Sequence, residues 1–393
     1  MKKLAREVCI LGVGMHPFGK FLDKSLKDLT RVAVWNSIRD AGIDANVIEA
    51  AYFSNVLAGL ITGQEGVRGH VFLRDSGFQS IPIVNVEGAC ASGTMALREA
   101  VFSIASGMYD VVLSVGAEKL YLDDTAKSIE AMATNTDVEL MGGLGFQFTG
   151  SYAMTLRKYM KQYGWTQRHF AKIASKNKFN GSLNPNAQYQ KPLSVEEILH
   201  SRLICWPLTL YMCSTMADGA AAAIVCSKEM AGTLASKTPI SVAACILRSG
   251  EVTGEDDGQR RAALEAYDMA GIGPEDVEVV EVHDAMAPGE LFRIEKLGFC
   301  KPEDIGALVD EDFFALNGKL PVNPSGGLAA RGHPIGATGL AQIAELVWQM
   351  RGEAGPRQVL GRHQRIPQVG LAQNSGGYVE GVSAAMTVTI LKC

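Results

Sequence analysis

One cysteine and two histidines are the residues of this chain best placed to do chemistry. Cys90 lies in Gly88-Ala89-Cys90-Ala91-Ser92-Gly93, a turn of small residues that lets another backbone or a ligand approach the sulfur. The apolar residues Ile81, Ile83, Val84 and Val86 before it predict a buried strand. Helical spacing starts at about Ser92, runs through Met95, Leu97, Val101, Phe102 and Ile104, and stops at Gly107. A thiol at a helix N-terminus feels the positive end of the helix dipole, which favours the nucleophilic thiolate. Without such activation, a free cysteine is a small buried hydrophobe. His283 directly follows a strand-like run at 277–282, the position where α/β proteins place chemistry. His333 lies in Gly332-His333-Pro334-Ile335-Gly336-Ala337-Thr338-Gly339, just after Asn323-Pro324-Ser325-Gly326-Gly327 and before an apolar helix. A lone histidine is more often structural than catalytic. A cysteine with two histidines, each at a strand end or glycine turn, fits a nucleophile with adjacent bases.

The elements that must carry these residues repeat. A strand at 8–13 is followed by an amphipathic helix at 26–41, with Leu29, Ala33, Val34 and Ile38 on one face. That helix ends at Ala41-Gly42-Ile43, and a strand returns at 48–53. The same order recurs 229 positions later, where Ala270-Gly271-Ile272 ends a helix and Glu278 falls on Glu49. Two related α/β halves are therefore expected, at 1–235 and 236–393. The segment 118–206 breaks the rhythm and reads as an inserted loop domain, its methionines (Met132, Met141, Met154, Met160) serving packing. It carries Arg157, Lys158, Lys161, Arg168, Lys172, Lys176 and Lys178 with no acid between them. Such a block either meets phosphates or is a solvated helix face.

Bulk properties narrow the function. A chain of 393 residues with net charge −5 and 47% hydrophobic residues is that of a soluble globular protein with no general affinity for nucleic acid. Eight scattered cysteines without a CxxC argue against a zinc or iron–sulfur site and fit a reducing compartment. No run is long enough to span a membrane. The basic N-terminus continues into a strand-like run and is read as core, not as a signal peptide. The last residues do not match the peroxisomal tripeptide, so a cytoplasmic location is expected.

Taken together, the chain resembles a thiolase over essentially its whole length. GACASG around Cys90 matches the nucleophile loop of that family, and GHPIGATG around His333 matches its Gly-His-Pro loop. His283-Asp284 stands where many thiolases carry Asn-Glu. That histidine marks the sterol-carrier-protein type branch, as do LNPNAQY at 183–189 and ADGAAAAI at 217–224. Within the branch it is similar to bacterial and archaeal thiolase subunits that work beside a small zinc-ribbon/OB-fold protein, including those that cleave benzoylsuccinyl-CoA.

The resemblance implies an α/β fold of two duplicated βαβαβαββ halves in five alternating α-β-α-β-α layers. It implies a homodimer, or a heterotetramer with the zinc-ribbon/OB-fold partner, and coenzyme A as co-substrate with no permanently bound cofactor and no metal. Cys90 would attack the keto carbon of a β-ketoacyl-CoA, with His333 as its base. His283 and His333 would donate hydrogen bonds to the thioester oxygen, and the N–H groups of Cys90 and Gly376 would hold the tetrahedral oxyanion. CoA contacts are expected from Arg157, Lys158, Lys161, Ser325 and Gly326. Most thiolases carry a second catalytic cysteine, and here its two possible positions hold Ala285 and Asn374. The general acid is therefore unassigned. A ketoacyl synthase, an aldolase-like C–C lyase and a non-catalytic acyl-CoA-binding scaffold are the competing readings. The Gly-His-Pro loop and His283-Asp284 favour a thiolase over the synthase, retention of Cys90 counts against the lyase, and a degradative thiolase is the expectation.

Overall fold

The computed structural model describes residues 4–251 and 258–393. Nine strands form its main sheet: β1 (Val8–Gly19), β2 (Ala50–Ser54), β3 (Ile83–Val86), β4 (Val111–Glu118), β5 (Asp218–Ser227), β6 (Ile240–Arg248), β7 (Val279–Glu281), β8 (Val369–Gly376) and β9 (Ala385–Lys392). Their spatial order is β3-β2-β4-β5-β1-β6-β9-β8-β7. In the first half β2 runs parallel to β3 and β4, while β5 is antiparallel to β4 and β1. In the second half β7 is parallel to β8, and β9 is antiparallel to β8 and β6. A parallel bridge from Val280 to Val322 stands where β3 stands in the first half. The same pairing scheme is thus laid down twice, joined back to back where Cys9 and Ile10 meet Ser241 and Ile240.

The principal helices are α1 (Leu26–Ala41), α2 (Ser92–Ala105), α3 (Phe148–Tyr163), α4 (Gln167–Ser182), α5 (Gln259–Ala270), α6 (Gly289–Lys296) and α7 (Thr338–Arg351). The repeat seen in the sequence has a structural meaning in these elements. Gly42 and Gly271 both end their helices in the left-handed region, at φ 70° and 65°, which glycine enters without a Cβ penalty. Glu49 accepts hydrogen bonds from the backbone N–H groups of Asp110 and Val111, at the start of β4. Glu278 accepts from Arg362 and Gln368, just before the equivalent strand β8. The expected boundary at 235/236 falls between β5 and β6.

Five layers follow from the packing. One outer layer is α1 against β1, β4 and β5; the other is α5 against β6 and β9. Between the two half-sheets lie α2 and α7, with Ala96, Leu97, Val101, Leu340, Ile343 and Val347 all fully buried. Helices that are apolar on nearly all sides belong in such a layer. Their N-termini meet glycine to glycine. A Cβ on Gly93 would lie 3.0 Å from the nitrogen of Leu340, and one on Gly339 would lie 2.5 Å from that of Thr94. This close approach brings the Cys90 turn beside the His333 turn.

The segment expected as a loop domain is mostly helical, built around α3 and α4 with a two-stranded ribbon, Leu203–Cys205 with Leu208–Thr209. Its Leu156, Trp165, Phe170 and Ile173 share one core with Val280, Leu291 and Ile294 of the second half. Of its methionines, Met160 packs against this core, whereas Met154 is exposed.

Candidate active site

Cys90 occupies a single 3-10 turn, Ala89–Ala91, that leads straight into α2. Ala89 is held at φ 49°, a left-handed conformation that costs energy for a non-glycine residue and aims the next side chain. The Sγ of Cys90 lies 3.2 Å from Nε2 of His333. On the other side of that ring, Nδ1 lies 2.7 Å from the hydroxyl of Thr338. The Thr338 hydroxyl spends its one proton on the carbonyl of Pro334, so it can only accept from His333. His333 therefore carries its proton on Nδ1 and turns the lone pair of Nε2 to the thiol.

Burial sets the charge state of this pair. The thiol of Cys90 is pushed up to about 12 by desolvation and by the carboxylate of Glu118. His333 is pulled down to about 3 by desolvation, with the Arg331 cation adding to it. The resting pair is a neutral thiol beside a neutral imidazole. A resting thiolate, the form the helix dipole favours, is opposed by burial and by Glu118, although part of the Cys90 side chain still faces the cavity. Glu118 is itself buried and raised to about 7, and it braces the turn by accepting from the N–H of Gly336.

His283 is fixed by a longer relay. The amide nitrogen of Gln342 donates to the backbone carbonyl of Gln373, so the oxygen of Gln342 must receive the Nδ2 of Asn374. The remaining Oδ1 of Asn374 then faces Nδ1 of His283 at 2.9 Å. Because the chain is anchored on a carbonyl, the donor there is Nδ1–H, and Nε2 of His283 is an acceptor. Desolvation, His333 and Arg293 hold His283 well below its ordinary pKa, in that neutral form. In this tautomer Nε2 of His283 accepts at rest, and it becomes a donor to the thioester oxygen once it has taken a proton. The Sγ of Cys90 and one ring nitrogen each of His283 and His333 lie within 4.8 Å of one another. Asp284 points away from this cluster, accepting from Asn177 and from the N–H of Leu328.

Gly376 ends β8 directly against the nucleophile turn. A Cβ there would lie 2.0 Å from the carbonyl oxygen of Gly88 and 3.0 Å from the nitrogen of Cys90, so only glycine brings the two backbones together. Around the cluster is a cavity of about 310 Å³, whose lining includes Cys90, His283, His333, Ala285 and the α3 residues Tyr152 and Lys158. Its size suits the acyl end of a thioester. Cys213 lies outside it, buried with its thiol toward the carbonyl of Thr209.

The expected CoA contacts divide. Lys158 lines the cavity; Arg157 and Lys161 are exposed elsewhere on α3. Ser325 and Gly326 are corrected by the structure, since both are buried and neither reaches the cavity. The Ser325 hydroxyl donates to Glu281 and accepts from Arg331, bracing the His333 turn from beneath. The rest of the basic block is also committed: Arg168 to Glu196, Lys172 to Asp310, Lys176 to Glu290, and Lys178 to the carbonyl of Ala329. Thr338, Asn374 and Gln342 were not among the expected site residues. Thr338 had a signal in its place in the Gly-His-Pro turn and Asn374 in standing at one of the second cysteine's positions, whereas Gln342 had none.

Comparison with known proteins places the chain in a family. The family model "Thiolase, N-terminal domain" matches residues 8–201, and "Thiolase C-terminal domain-like" matches 246–392. The acetyl-CoA acetyltransferase of Methanothermobacter thermautotrophicus is 39% identical over 379 residues, covering 95% of this chain and 97% of that protein. Benzoylsuccinyl-CoA thiolase subunit BbsB of Thauera aromatica is 39% identical over 385 residues, covering 95% and 96%. Among solved structures, the Ltp2-ChsH2(DUF35) aldolase superposes with a TM-score of 0.80 at 23% identity, over 98% of this chain and 97% of that one, a likeness of fold. With both halves matched and the cysteine–histidine pair assembled between them, the chain belongs to the thiolase family of acyl-CoA acyltransferases.

Proposed function

We propose that the chain cleaves a β-ketoacyl-CoA with free CoA in the degradative direction, through an acyl-Cys90 intermediate. The observation that carries this reading is the 3.2 Å contact of Cys90 Sγ with the unprotonated Nε2 of His333. His333 takes the thiol proton as sulfur attacks the keto carbon. The N–H groups of Cys90 and Gly376 stabilise the resulting oxyanion. Breaking the C2–C3 bond leaves the acyl group on sulfur and the electron pair on the enolate of the shorter acyl-CoA. That enolate needs one proton at C2, and the site holds one, the proton that His333 took from Cys90. His283 offers an acceptor nitrogen beside it and passes that proton on, the part that the second cysteine plays in most thiolases. Free CoA then gives its proton to the same histidines, attacks the acyl-cysteine and returns the Cys90 thiol. An aldolase-like lyase needs no acyl-cysteine, so the paired Cys90 favours thiolysis.

Exchange at the α-carbon tests the role of His283. Acetyl-CoA deuterated at C2 should lose its label to water with the unaltered protein. His283→Asn should slow that loss by about 100-fold or more, while Cys90 still becomes acylated. Unchanged exchange would assign the transfer to His333 alone.

We further propose that the acyl group is aromatic, of the benzoylsuccinyl-CoA kind named for the Thauera relative. The chain would work in the cytoplasm as a homodimer that binds a small zinc-ribbon/OB-fold subunit. BbsB is by name a subunit, and the aldolase neighbour is a complex with a DUF35 protein. On this chain Leu140, Leu144 and Met154 are 58%, 76% and 65% exposed, on the inserted segment that also lines the cavity. Among the described residues no helix is long and apolar enough to cross a membrane. Co-expression with a small DUF35-type partner should yield a larger complex with faster thiolysis. Full activity from the lone homodimer would remove the partner from the account.

A further inference from the structure

The cavity holds positive charge that acyl transfer at Cys90 does not use. Among the described residues its lining includes Lys158, Arg293 and Lys296, and no aspartate or glutamate. Arg293, on α6, is 5% exposed. Its Nη1 donates to the side-chain oxygen of Gln259 at 2.6 Å, while the Gln259 amide nitrogen donates back to the carbonyl of Arg293 at 3.1 Å. This reciprocal clamp fixes the guanidinium through a neutral amide. Its Nε is buried and has no hydrogen-bond partner among the described residues. The other buried arginines are treated differently: Arg331 pairs with Glu281 and Arg357 pairs bidentately with Glu345. A buried guanidinium held without a carboxylate is costly and is set up to receive an anion. Its charge reaches the reaction centre, where it helps keep His283 unprotonated.

We propose that Arg293 binds a free carboxylate on the acyl part of the substrate, so that the enzyme cleaves β-ketoacyl-CoA thioesters bearing a second acidic group. This rests on the thiolase reading of the same site. The phosphates of CoA do not meet the need, because the whole pantetheine arm separates them from the thioester at Cys90. The exposed cations on α3 remain for those phosphates. With Gln259 and Tyr152 as its neutral partners, Arg293 keeps an unpartnered Nε, and its planar guanidinium donates to the two oxygens of a carboxylate side by side.

The test is a ratio. Thiolysis of 3-oxoadipyl-CoA and of 2-benzoylsuccinyl-CoA is compared with that of 3-oxohexanoyl-CoA, which lacks the carboxylate. In the unaltered protein kcat/KM should favour at least one acid by about 100-fold, the discrimination of a charge-assisted pair. Arg293→Gln should bring that ratio to near one, chiefly through KM, and Arg293→Lys should restore part of it. Preference for 3-oxohexanoyl-CoA in the unaltered protein, or an unchanged ratio in Arg293→Gln, would overturn the proposal. If the glutamine variant fails to fold, the ratio of the unaltered protein decides. Thiolysis of the neutral substrate with no preference for acids sinks this inference alone. Absence of thiolysis with every substrate, and of any acyl-Cys90, sinks the thiolase reading itself.

Discussion

Replacing His333 by alanine should turn a nearly level pH profile into one that climbs tenfold per pH unit. The reactive form is the neutral pair, thiol and imidazole in contact. His333 is depressed to about 3, so falling pH does not protonate it within the working range. Cys90 is raised to about 12, so rising pH does not ionise it there either. The unaltered protein should therefore keep kcat/KM within a small factor between about pH 5 and pH 9, with only a shallow step near pH 7 where Glu118 titrates beside the pair. Without the imidazole, the nucleophile forms only by losing its proton to solvent. That fraction grows tenfold per unit until the thiol titrates, and near neutral pH the rate should be lower by roughly 10³ to 10⁵. His333→Asn should behave alike, since an amide cannot take the proton. Stopped-flow thiolysis across pH checks this, and a level profile in the variant would mean another base serves Cys90.

The second large effect is loss of the nucleophile. Cys90→Ala should lower thiolysis by about 10⁴-fold or more, as removing a covalent catalyst does elsewhere. Cys90→Ser should do little better, because a hydroxyl is a far weaker acid than a thiol and the site is already costly for charge. Deuterium loss from C2 of acetyl-CoA should persist in both variants, since His283 and His333 act there without the sulfur. The two activities should thus separate at one residue. Exchange that disappears along with thiolysis would show that Cys90 is needed to bind the thioester or to move the proton.

Much of this site could be read from the sequence because glycine marks it. Cys90 and His333 lie in turns whose glycines permit the contact of α2 with α7, and Gly376 is where two backbones touch. The duplication was legible for a related reason: Gly42 and Gly271 end equivalent helices, and Glu49 and Glu278 brace equivalent strands. What sequence could not show was how distant side chains commit one another. Asn374 and His283 are 91 positions apart, and Asn374 and Gln342 are 32 apart, so no local pattern reveals the tautomer they impose. Ser325 looked accessible in a glycine turn, yet folding places it over Glu281 and Arg331. The basic block looked like one patch, but α4 turns its lysines toward acids and a carbonyl of the second half, leaving the α3 residues and Arg168 outward. Arg293 gave no signal, because one arginine in an amphipathic helix reads as solvated. The thiolate expectation weighed only the helix dipole, and no local pattern signals the burial and the Glu118 carboxylate that raise the Cys90 thiol.

The central claim is that an acyl group passes through Cys90, and trapping that intermediate tests it most directly. The protein is mixed with a β-ketoacyl-CoA in the absence of free CoA, quenched in acid, digested and weighed by mass spectrometry. The mass of the acyl group should appear on the peptide containing Cys90, with release of one shorter acyl-CoA per site, and should vanish when CoA is added before the quench. An unmodified Cys90 peptide despite cleavage of the substrate, or an acyl group carried by another cysteine, would contradict the account.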